Sequence, residues 1–203
     1  MPKTFDPRSI LENSIVYNTF QHIVGGVRAR RLFIKNDVKI KANEKILDIG
    51  CGPGYLIDFL PKVDYTGIDI DAKYIKTAKE RYKDKTFYCT PVEDFNLESP
   101  NTFDVVIAAG VVHHLNNEQA SALFDLAKRA LKPNGRLITL DGCFIDKQNP
   151  IAKKLLQLDR GKFVRREEEY KVLANNHFNT VTTKIDETYF NIPYTSVIVT
   201  CTK

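Results

Sequence analysis

The chain has 203 residues, which is near the size of one ordinary domain and argues against two large domains. Hydrophobic residues make up 43% of it and charged residues 27%, so it has enough apolar material for a core and is not a disordered chain. The formal net charge of +5 is mild, and solubility explains it without a nucleic-acid partner.

Short apolar runs alternate with helix-like stretches along most of the chain, which is typical of parallel β-α-β units. Before the first strand, residues 10–24 and 27–36 are predicted as helices interrupted at Gly25 and Gly26, packing over a sheet edge or over the site. Five strands are predicted, at residues 45–49, 64–69, 86–90, 103–109 and 135–141. Three helices are predicted between them, at residues 55–60, 72–83 and 118–131.

The last third of the chain has a different order of elements. Helices are predicted at residues 150–158 and 167–175, and strands at 180–186 and 196–202. Two successive strands with a short connection usually pair antiparallel, so these two should end the sheet in a hairpin. The sequence therefore predicts an α/β fold: a Rossmann-like sheet of seven mostly parallel strands, with a C-terminal antiparallel hairpin and helices on both faces.

The most informative segment is the first predicted strand and its exit, which read Ile46-Leu47-Asp48-Ile49-Gly50-Cys51-Gly52-Pro53-Gly54. Glycines let the backbone turn sharply and let a ligand approach, because they carry no Cβ. In an open parallel sheet the ligand crevice lies beyond the carboxyl ends of the strands, where a following helix offers N–H groups to an anion. This pattern predicts a nucleotide-like ligand at the glycine loop.

The second predicted strand ends at Asp69, which places a carboxylate at the neighbouring strand tip, where it can accept both hydroxyls of a ribose. A nicotinamide-dependent oxidoreductase would have a similar acidic residue. Its G-x-G-x-x-G fingerprint, however, needs a glycine at position 55, which is Tyr55 here. The spacing therefore disfavours hydride transfer, and an NAD-dependent enzyme stays a minor alternative.

Residues 45–141, about half of the chain, resemble the class I S-adenosylmethionine-dependent methyltransferases in five successive segments. The matching segments are residues 48–54, Asp69, and residues 92–95, 103–115 and 131–137. One position departs from the family pattern, because many relatives carry an Asp for the adenine amino group where this chain has Pro91. Adenine recognition is then expected to rest on backbone groups near Val92 and Glu93 and on stacking by Ile70.

The resemblance implies an S-adenosylmethionine-dependent methyltransferase, with S-adenosylmethionine as its cofactor. It divides one domain, residues 1–203, into an N-terminal cap (1–40), a cofactor-binding core (45–141) and an acceptor side with the terminal hairpin (142–203). The residues expected to bind the cofactor are Tyr17, on the N-terminal helix with Phe20 and Gln21, and Asp48, Gly50, Cys51, Gly52, Gly54, Asp69, Ile70, Val92, Glu93, Ala109 and Gly110.

Methyl transfer from a sulfonium needs alignment and desolvation more than a charged catalytic group, because the cofactor carries the hard chemistry. An acceptor hydroxyl or acidic carbon also needs a general base. His113 and His114, at the exit of the fourth strand, are the predicted catalytic residues, with a structural role or a cofactor contact left open for both. Asp48 is expected to support the glycine loop as a buried acceptor, and Asp71 to cap the next helix.

The acceptor is predicted to be a small molecule, methylated at oxygen, nitrogen or carbon by in-line displacement. An RNA or other nucleic-acid methyltransferase is the main alternative, because of the basic residues within 28–41. Against it, no Asn/Asp-Pro-Pro-Tyr motif follows the fourth strand, and the similar segment 191–194 lies between the last two strands. Arg160 and Arg165 could meet an acidic small molecule, although a solvated face is the plainer interpretation. A non-catalytic binding module ranks last.

Four cysteines lie far apart, with no C-x-x-C pair and no close Cys/His cluster, so the sequence predicts no metal site. Such scattered cysteines suggest reduced thiols. The longest apolar run, residues 105–112, is far shorter than the roughly 20 residues of a membrane span, and the first residues lack the apolar stretch of a signal peptide. We therefore expect a cytoplasmic protein that is not associated with a membrane.

Overall fold

The computed structural model describes residues 25–159 and 161–203. Their strands are β1 (Lys45–Ile49), β2 (Asp64–Asp69), β3 (Thr86–Cys89), β4 (Phe103–Ala109), β5 (Leu131–Phe144), β6 (Arg165–Arg166), β7 (Thr180–Asp186) and β8 (Ser196–Thr202). Their α-helices are α1 (Gly26–Phe33), α2 (Ala72–Arg81), α3 (Asn117–Ala130), α4 (Pro150–Leu158) and α5 (Glu167–Asn175). The predicted α/β fold is confirmed.

The main sheet has the order β3-β2-β1-β4-β5-β8-β7. Strands β1 to β5 are parallel, and β8 pairs antiparallel with both β5 and β7. The two-residue strand β6 pairs with the end of β5, outside this order. Strand order reverses between β1 and β4, and in open α/β sheets such a switch point opens a ligand crevice at the carboxyl ends.

Alternating side chains of the central strands pack into two separate hydrophobic cores, one on each face of the sheet. Leu47 belongs to the core that holds the buried residues of α3 and α5, whereas Ile46 belongs to the core that holds those of α1 and α2. Successive strand residues point to opposite faces, so both faces of β1 are buried. Because β1 is buried on both faces, its end is a rigid base for the glycine loop.

The helix predicted at residues 55–60 is wrong, because only one turn of 3₁₀ helix forms there, at Ile57–Phe59. Gly54 has a left-handed φ of 78°, and Leu60 is extended before Pro61, as residues preceding proline tend to be. The helix predicted at residues 27–36 begins one residue earlier, as α1 at Gly26 after the left-handed Gly25, and continues into a π-helical turn, Ile34–Val38.

Among the described residues, the other predicted elements form, with small differences in their bounds. The largest of these is at β5, which starts four residues before its predicted position. The predicted helix at residues 10–24 lies outside the described residues, and with it most of the proposed N-terminal cap. No helix in the described part of the chain is long and apolar enough to cross a membrane.

Candidate functional site

The glycine loop bends through three residues with positive φ, which are Gly50 (71°), Gly52 (54°) and Gly54 (78°). L-residues with side chains rarely adopt this conformation, so the alternating glycines match what the turn requires. The loop is tied to β2, because the N–H groups of Gly50 and Cys51 donate to the carbonyl of Ile68 at 2.8 and 3.0 Å. The bend is therefore held at the carboxyl end of the sheet.

Two of these glycines are needed for different reasons. A Cβ on Gly50 would lie 2.4 Å from Cγ2 of Val111, so this glycine allows the loop to pack against the exit of β4. A Cβ on Gly52 would meet nothing within 4 Å. The loop thus has a packed side at Gly50 and an open side at Gly52, where a ligand can approach the backbone.

Asp69 links the tip of β2 to this loop. Its Oδ2 accepts a hydrogen bond from the N–H of Gly52 at 2.8 Å, and its Oδ1 accepts one from the N–H of Asp71 at 2.8 Å. Burial raises the pKa of the Asp69 carboxyl, and these backbone hydrogen bonds oppose the rise. Next to it, Ile70 is 73% exposed.

Asp48 is a buried acceptor beneath the loop, as the sequence predicts, with 1% of its surface exposed. Its Oδ2 accepts a hydrogen bond from the hydroxyl of Tyr65 at 2.6 Å, and its Oδ1 is buried with no hydrogen-bond partner among the described residues. Burial raises the pKa of Asp48 to about 7. The side chain of Cys51 packs inward, since a Cβ added on Gly67 would lie 2.8 Å from its Sγ. The backbone of Cys51, rather than its side chain, is therefore the part left to meet a ligand.

The remaining predicted cofactor residues lie at the ends of neighbouring strands. Val92 and Glu93 form a short turn after β3, half-buried and exposed respectively. Ala109 ends β4, and Gly110 follows it with a φ of 75°. Tyr17, with Phe20 and Gln21, lies outside the described residues. The described candidates therefore gather at one end of the sheet.

His113 is buried at the exit of β4 and lies between two carboxylates. Its Nδ1 is 2.8 Å from Oδ1 of Asp141, and its Nε2 is 3.6 Å from Oδ1 of Asp159. Burial alone would lower the pKa of His113, but the hydrogen bonds and charges of the two carboxylates raise it to about 9. Conversely, burial alone would raise the pKa of Asp159, and His113 holds it at about 2. The two carboxylates therefore favour the imidazolium form of His113.

The segment after α4 packs directly on this histidine. A Cβ on Gly161 would lie 2.1 Å from Cδ2 of His113, so no side chain fits there. Asp159 is itself oriented, because it accepts hydrogen bonds from the N–H of Gly161 at 2.8 Å and from the hydroxyl of Tyr194 at 3.2 Å. The ring of His114, which is exposed, lies 4.2 Å from that of His113.

Sequence reasoning missed Asp159 and Tyr194 as site residues. Neither carries a local signal, since each reaches the histidines through the fold rather than through spacing along the chain. Asp141 had a signal that could have been used, because it is a carboxylate that directly follows a buried apolar run at the carboxyl end of a predicted strand.

Arg165 braces the loop that carries the histidines. Its buried guanidinium donates to the carbonyls of Val112 at 3.0 Å and Leu115 at 2.7 Å, and to Oδ1 of Asn117 at 2.9 Å. It also donates to the carbonyl of Phe163 at 3.0 Å. These bonds correct the suggestion that Arg165 meets an acidic small molecule. Arg160, suggested for the same role, lies outside the described residues.

Comparison with known proteins gives a family match over the centre of the chain. Residues 47–139 match the family described as a methyltransferase domain. The chain is 28% identical over 174 residues to the phosphoethanolamine N-methyltransferase of Plasmodium falciparum, which covers 82% of this chain and 65% of that protein. It is 28% identical over 111 residues to a ubiquinone biosynthesis O-methyltransferase of Idiomarina loihiensis, which covers 52% of this chain and 45% of that protein. The chain thus spans less than two thirds of either relative.

Solved structures share the fold. Phosphoethanolamine N-methyltransferase 2 of Haemonchus contortus, in complex with phosphomonomethylethanolamine and S-adenosylhomocysteine, superposes with a TM-score of 0.74 at 18% identity and covers 100% of this chain and 61% of that one. A TehB-like S-adenosylmethionine-dependent methyltransferase of Corynebacterium glutamicum superposes with a TM-score of 0.65 at 19% identity and covers 98% of this chain and 100% of that one. At these identities the likeness shows the fold alone.

Proposed function

We propose that this chain, which belongs through residues 47–139 to the class I S-adenosylmethionine-dependent methyltransferases, transfers the methyl group of that cofactor to a small-molecule acceptor. The observation that carries the proposal is the glycine loop held by Asp69. Three left-handed glycines expose one open side of the backbone, and a carboxylate is bonded to that same backbone at the next strand tip.

The residues of the loop suit an adenosyl cofactor. The open side of Gly52 leaves room for the ligand where any other residue would place a Cβ. Asp69 is placed to accept the ribose hydroxyls, and the exposed side chain of Ile70 offers an apolar surface to the adenine. Val92 and Glu93 would add backbone contacts to the adenine, and the unpartnered Oδ1 of Asp48 supplies an acceptor beneath the loop.

When bound, S-adenosylmethionine supplies a methyl group on a positively charged sulfur, which keeps the electron pair of the broken C–S bond as the acceptor atom forms its bond to carbon. The part of the chain is to hold donor and acceptor in line and to exclude water, which is worth several kcal/mol in favourable model reactions. The carboxyl ends of β1, β2 and β4 lie side by side, where Gly50, Asp69 and Gly110 can contact both donor and acceptor.

His113 and His114, in the turn that follows β4, are the candidates to receive a proton from the acceptor. Asp141 holds Nδ1 of His113, which fixes the orientation of the ring and directs Nε2 toward Asp159. His113 can take a proton from the acceptor only after the Nε2 proton that the two carboxylates favour has passed to Asp159 or to solvent.

A small acceptor is favoured over a nucleic acid. The two relatives described above are named for a phosphorylated amine and for ubiquinone biosynthesis. The basic segment that motivated the nucleic-acid alternative is partly engaged within the chain, since the guanidinium of Arg28 donates to the carbonyls of Thr188 and Tyr189. No observation on the described residues specifically favours RNA.

Transfer of a labelled methyl group tests the proposal. The full chain is incubated with methyl-labelled S-adenosylmethionine and either a small-metabolite extract or total RNA. We expect label in the metabolite fraction, strongly reduced in Asp69→Ala. Asp64→Asn is the matched control, because Asp64 is a carboxylate at the opposite end of β2 with a side chain 62% exposed. Label in RNA alone would move the function to the nucleic-acid alternative, and cofactor binding without any labelled product would favour a binding module.

A further inference from the structure

Two carboxylates flank His113, one at each ring nitrogen. Asp141 and Asp159 each place an oxygen near one of its ring nitrogens, at 2.8 and 3.6 Å. The side chain of Asp141 is fully buried and that of Asp159 is 24% exposed. With a neutral imidazole, two carboxylates would share a poorly solvated space, which is costly. A proton on the ring, or a cation bound between the ring and Asp159, would offset this charge.

The distance between His113 and Asp159 suits two ligands of one cation. The Nδ1 of His113 is engaged by Asp141, so its Nε2 is the ring atom that faces Oδ1 of Asp159. Their separation of 3.6 Å exceeds the roughly 3.2 Å limit of a good hydrogen bond. Two ligands about 2.1 Å from a tetrahedral ion are about 3.4 Å apart, which is close to the separation seen here.

A third ligand and an outer shell complete the arrangement. One ligand atom each from His113, His114 and Asp159 lie within 4.8 Å of one another. Asp141 bonds to the other nitrogen of His113, as carboxylates commonly do behind metal-bound histidines. Hydrogen bonds from Gly161 and Tyr194 orient Asp159 in the same way.

We propose that His113, His114 and Asp159 form a binding site for a divalent transition-metal cation such as Zn²⁺, at the exit of β4 beside the glycine loop. Three protein ligands leave one position of a tetrahedral ion open for water or an acceptor atom. A cation there would lower the pKa of an acceptor hydroxyl, so that its proton leaves to solvent before the oxygen attacks the methyl carbon. This catalytic role rests on the proposed methyl transfer, whereas the binding site itself does not.

No local sequence signal predicts such a site. Its cysteines are scattered, and the expectation of no metal was based on the absence of close Cys/His spacing. The proposed ligands instead come from the turn Val112–His114 and from the residue that follows α4. The packing of Asp159, Gly161 and Phe163 against His113 brings them together.

Cobalt titration tests the site directly. The tag-free full chain is freed of metal with a chelator and titrated with CoCl₂, and the visible d–d absorption of the bound ion is recorded with the stoichiometry. We expect one equivalent of Co²⁺, displaced by Zn²⁺, with at least a ten-fold weaker affinity in His114→Ala and in Asp159→Asn. His114 is exposed, so its removal should leave the fold intact. His177→Asn is the control, because His177 bonds to Ser121, outside the cluster.

The outcomes separate the metal site from the methyl transfer. Two results would overturn the site: equal Co²⁺ affinity in the wild type and in His114→Ala, or uptake of several equivalents that none of these substitutions affects. His113 and Asp159 would then be linked by a proton alone. Stoichiometric Co²⁺ binding that depends on the ligands would support the site even if no methyl transfer were found. Absence of transfer would then count against the proposed function and not against the cation.

Discussion

The two sides of the proposed site are built by different means. The donor side, residues 48–54 with Asp69, is shaped by backbone conformation and by hydrogen bonds between neighbouring strands. The acceptor side, defined here as His113, Asp141, Asp159 and Arg165, is shaped by buried charged side chains from distant parts of the chain. Perturbing Gly52 or Asp69, at the open side of the loop, should therefore act mainly on ligand affinity, and perturbing the acceptor side mainly on the fold.

The largest effect is expected at Arg165. Replacing it by Met leaves carbonyls of the histidine loop without donors, which we expect to lower the free energy of unfolding by about 4 kcal/mol. Urea denaturation measures the loss. Arg166→Met is the matched control, because the side chain of Arg166 is 58% exposed and forms an ion pair with Asp146, worth at most about 1 kcal/mol. Equal stabilities of the two variants would show that Arg165 does not brace the loop.

Asp48 is expected to make the donor side sensitive to pH. Its pKa rises from 3.8 to about 7 on folding. Between those values the folded chain keeps a proton that the unfolded chain has lost, so stability falls as the pH rises from about 4 to about 8. We expect Asp48→Asn to gain on the order of 4 kcal/mol relative to the wild type over this range, since each pKa unit is worth about 1.4 kcal/mol. Urea denaturation without cofactor at both ends of the range measures it, and a constant difference would contradict the buried, protonated carboxyl.

The two sides of the glycine loop should respond differently to alanine. Gly50→Ala adds left-handed strain and a clash with Val111, so we expect a loss of about 2 kcal/mol in unfolding free energy. Gly52→Ala adds only strain, about 1 kcal/mol, but fills the open side and should weaken cofactor affinity more than stability. Thermal unfolding and calorimetry on both variants distinguish these effects. Equal losses of stability would show that Gly50 is not packed as described.

The smallest effect is expected at the helix caps, which should behave alike on both sides. Asp71 accepts hydrogen bonds from the N–H groups of Lys73 and Tyr74 at the start of α2, and Asn149 accepts one from that of Ile151 in α4. Replacing either by Ala should cost about 1 kcal/mol. Urea denaturation checks both. A much larger loss of stability for one of the two caps would mean that the helices themselves contribute to the difference between the donor side and the acceptor side.

Most of the fold could be predicted from the sequence, because apolar periodicity records which face of each element is buried. Strands β1, β2, β4, β7 and β8 and helices α4 and α5 have their predicted bounds. The errors lie where backbone geometry overrides periodicity. The helix expected at 55–60 is replaced by a 3₁₀ turn between Gly54 and Pro61.

The donor side could also be predicted, since glycine spacing and one strand-end aspartate are local signals. The acceptor side could not, because the contacts of His113 with Asp159 and of Arg165 with Val112 depend on how the segment after α4 folds back. Arg165 shows the limit most clearly. A basic residue in a charged stretch suggests a solvated face or an anion site, yet this one is buried against main-chain carbonyls.

The central claim is that the glycine loop and Asp69 together bind an adenosyl cofactor, and calorimetric titration with S-adenosylhomocysteine tests it most directly. We expect the wild type and Asp64→Asn to bind with the same affinity, and Asp69→Ala to lose about 1 to 3 kcal/mol of binding free energy, roughly 5- to 150-fold. NADH should not bind. Unchanged affinity in Asp69→Ala, or tighter binding of NADH than of S-adenosylhomocysteine, would contradict the account.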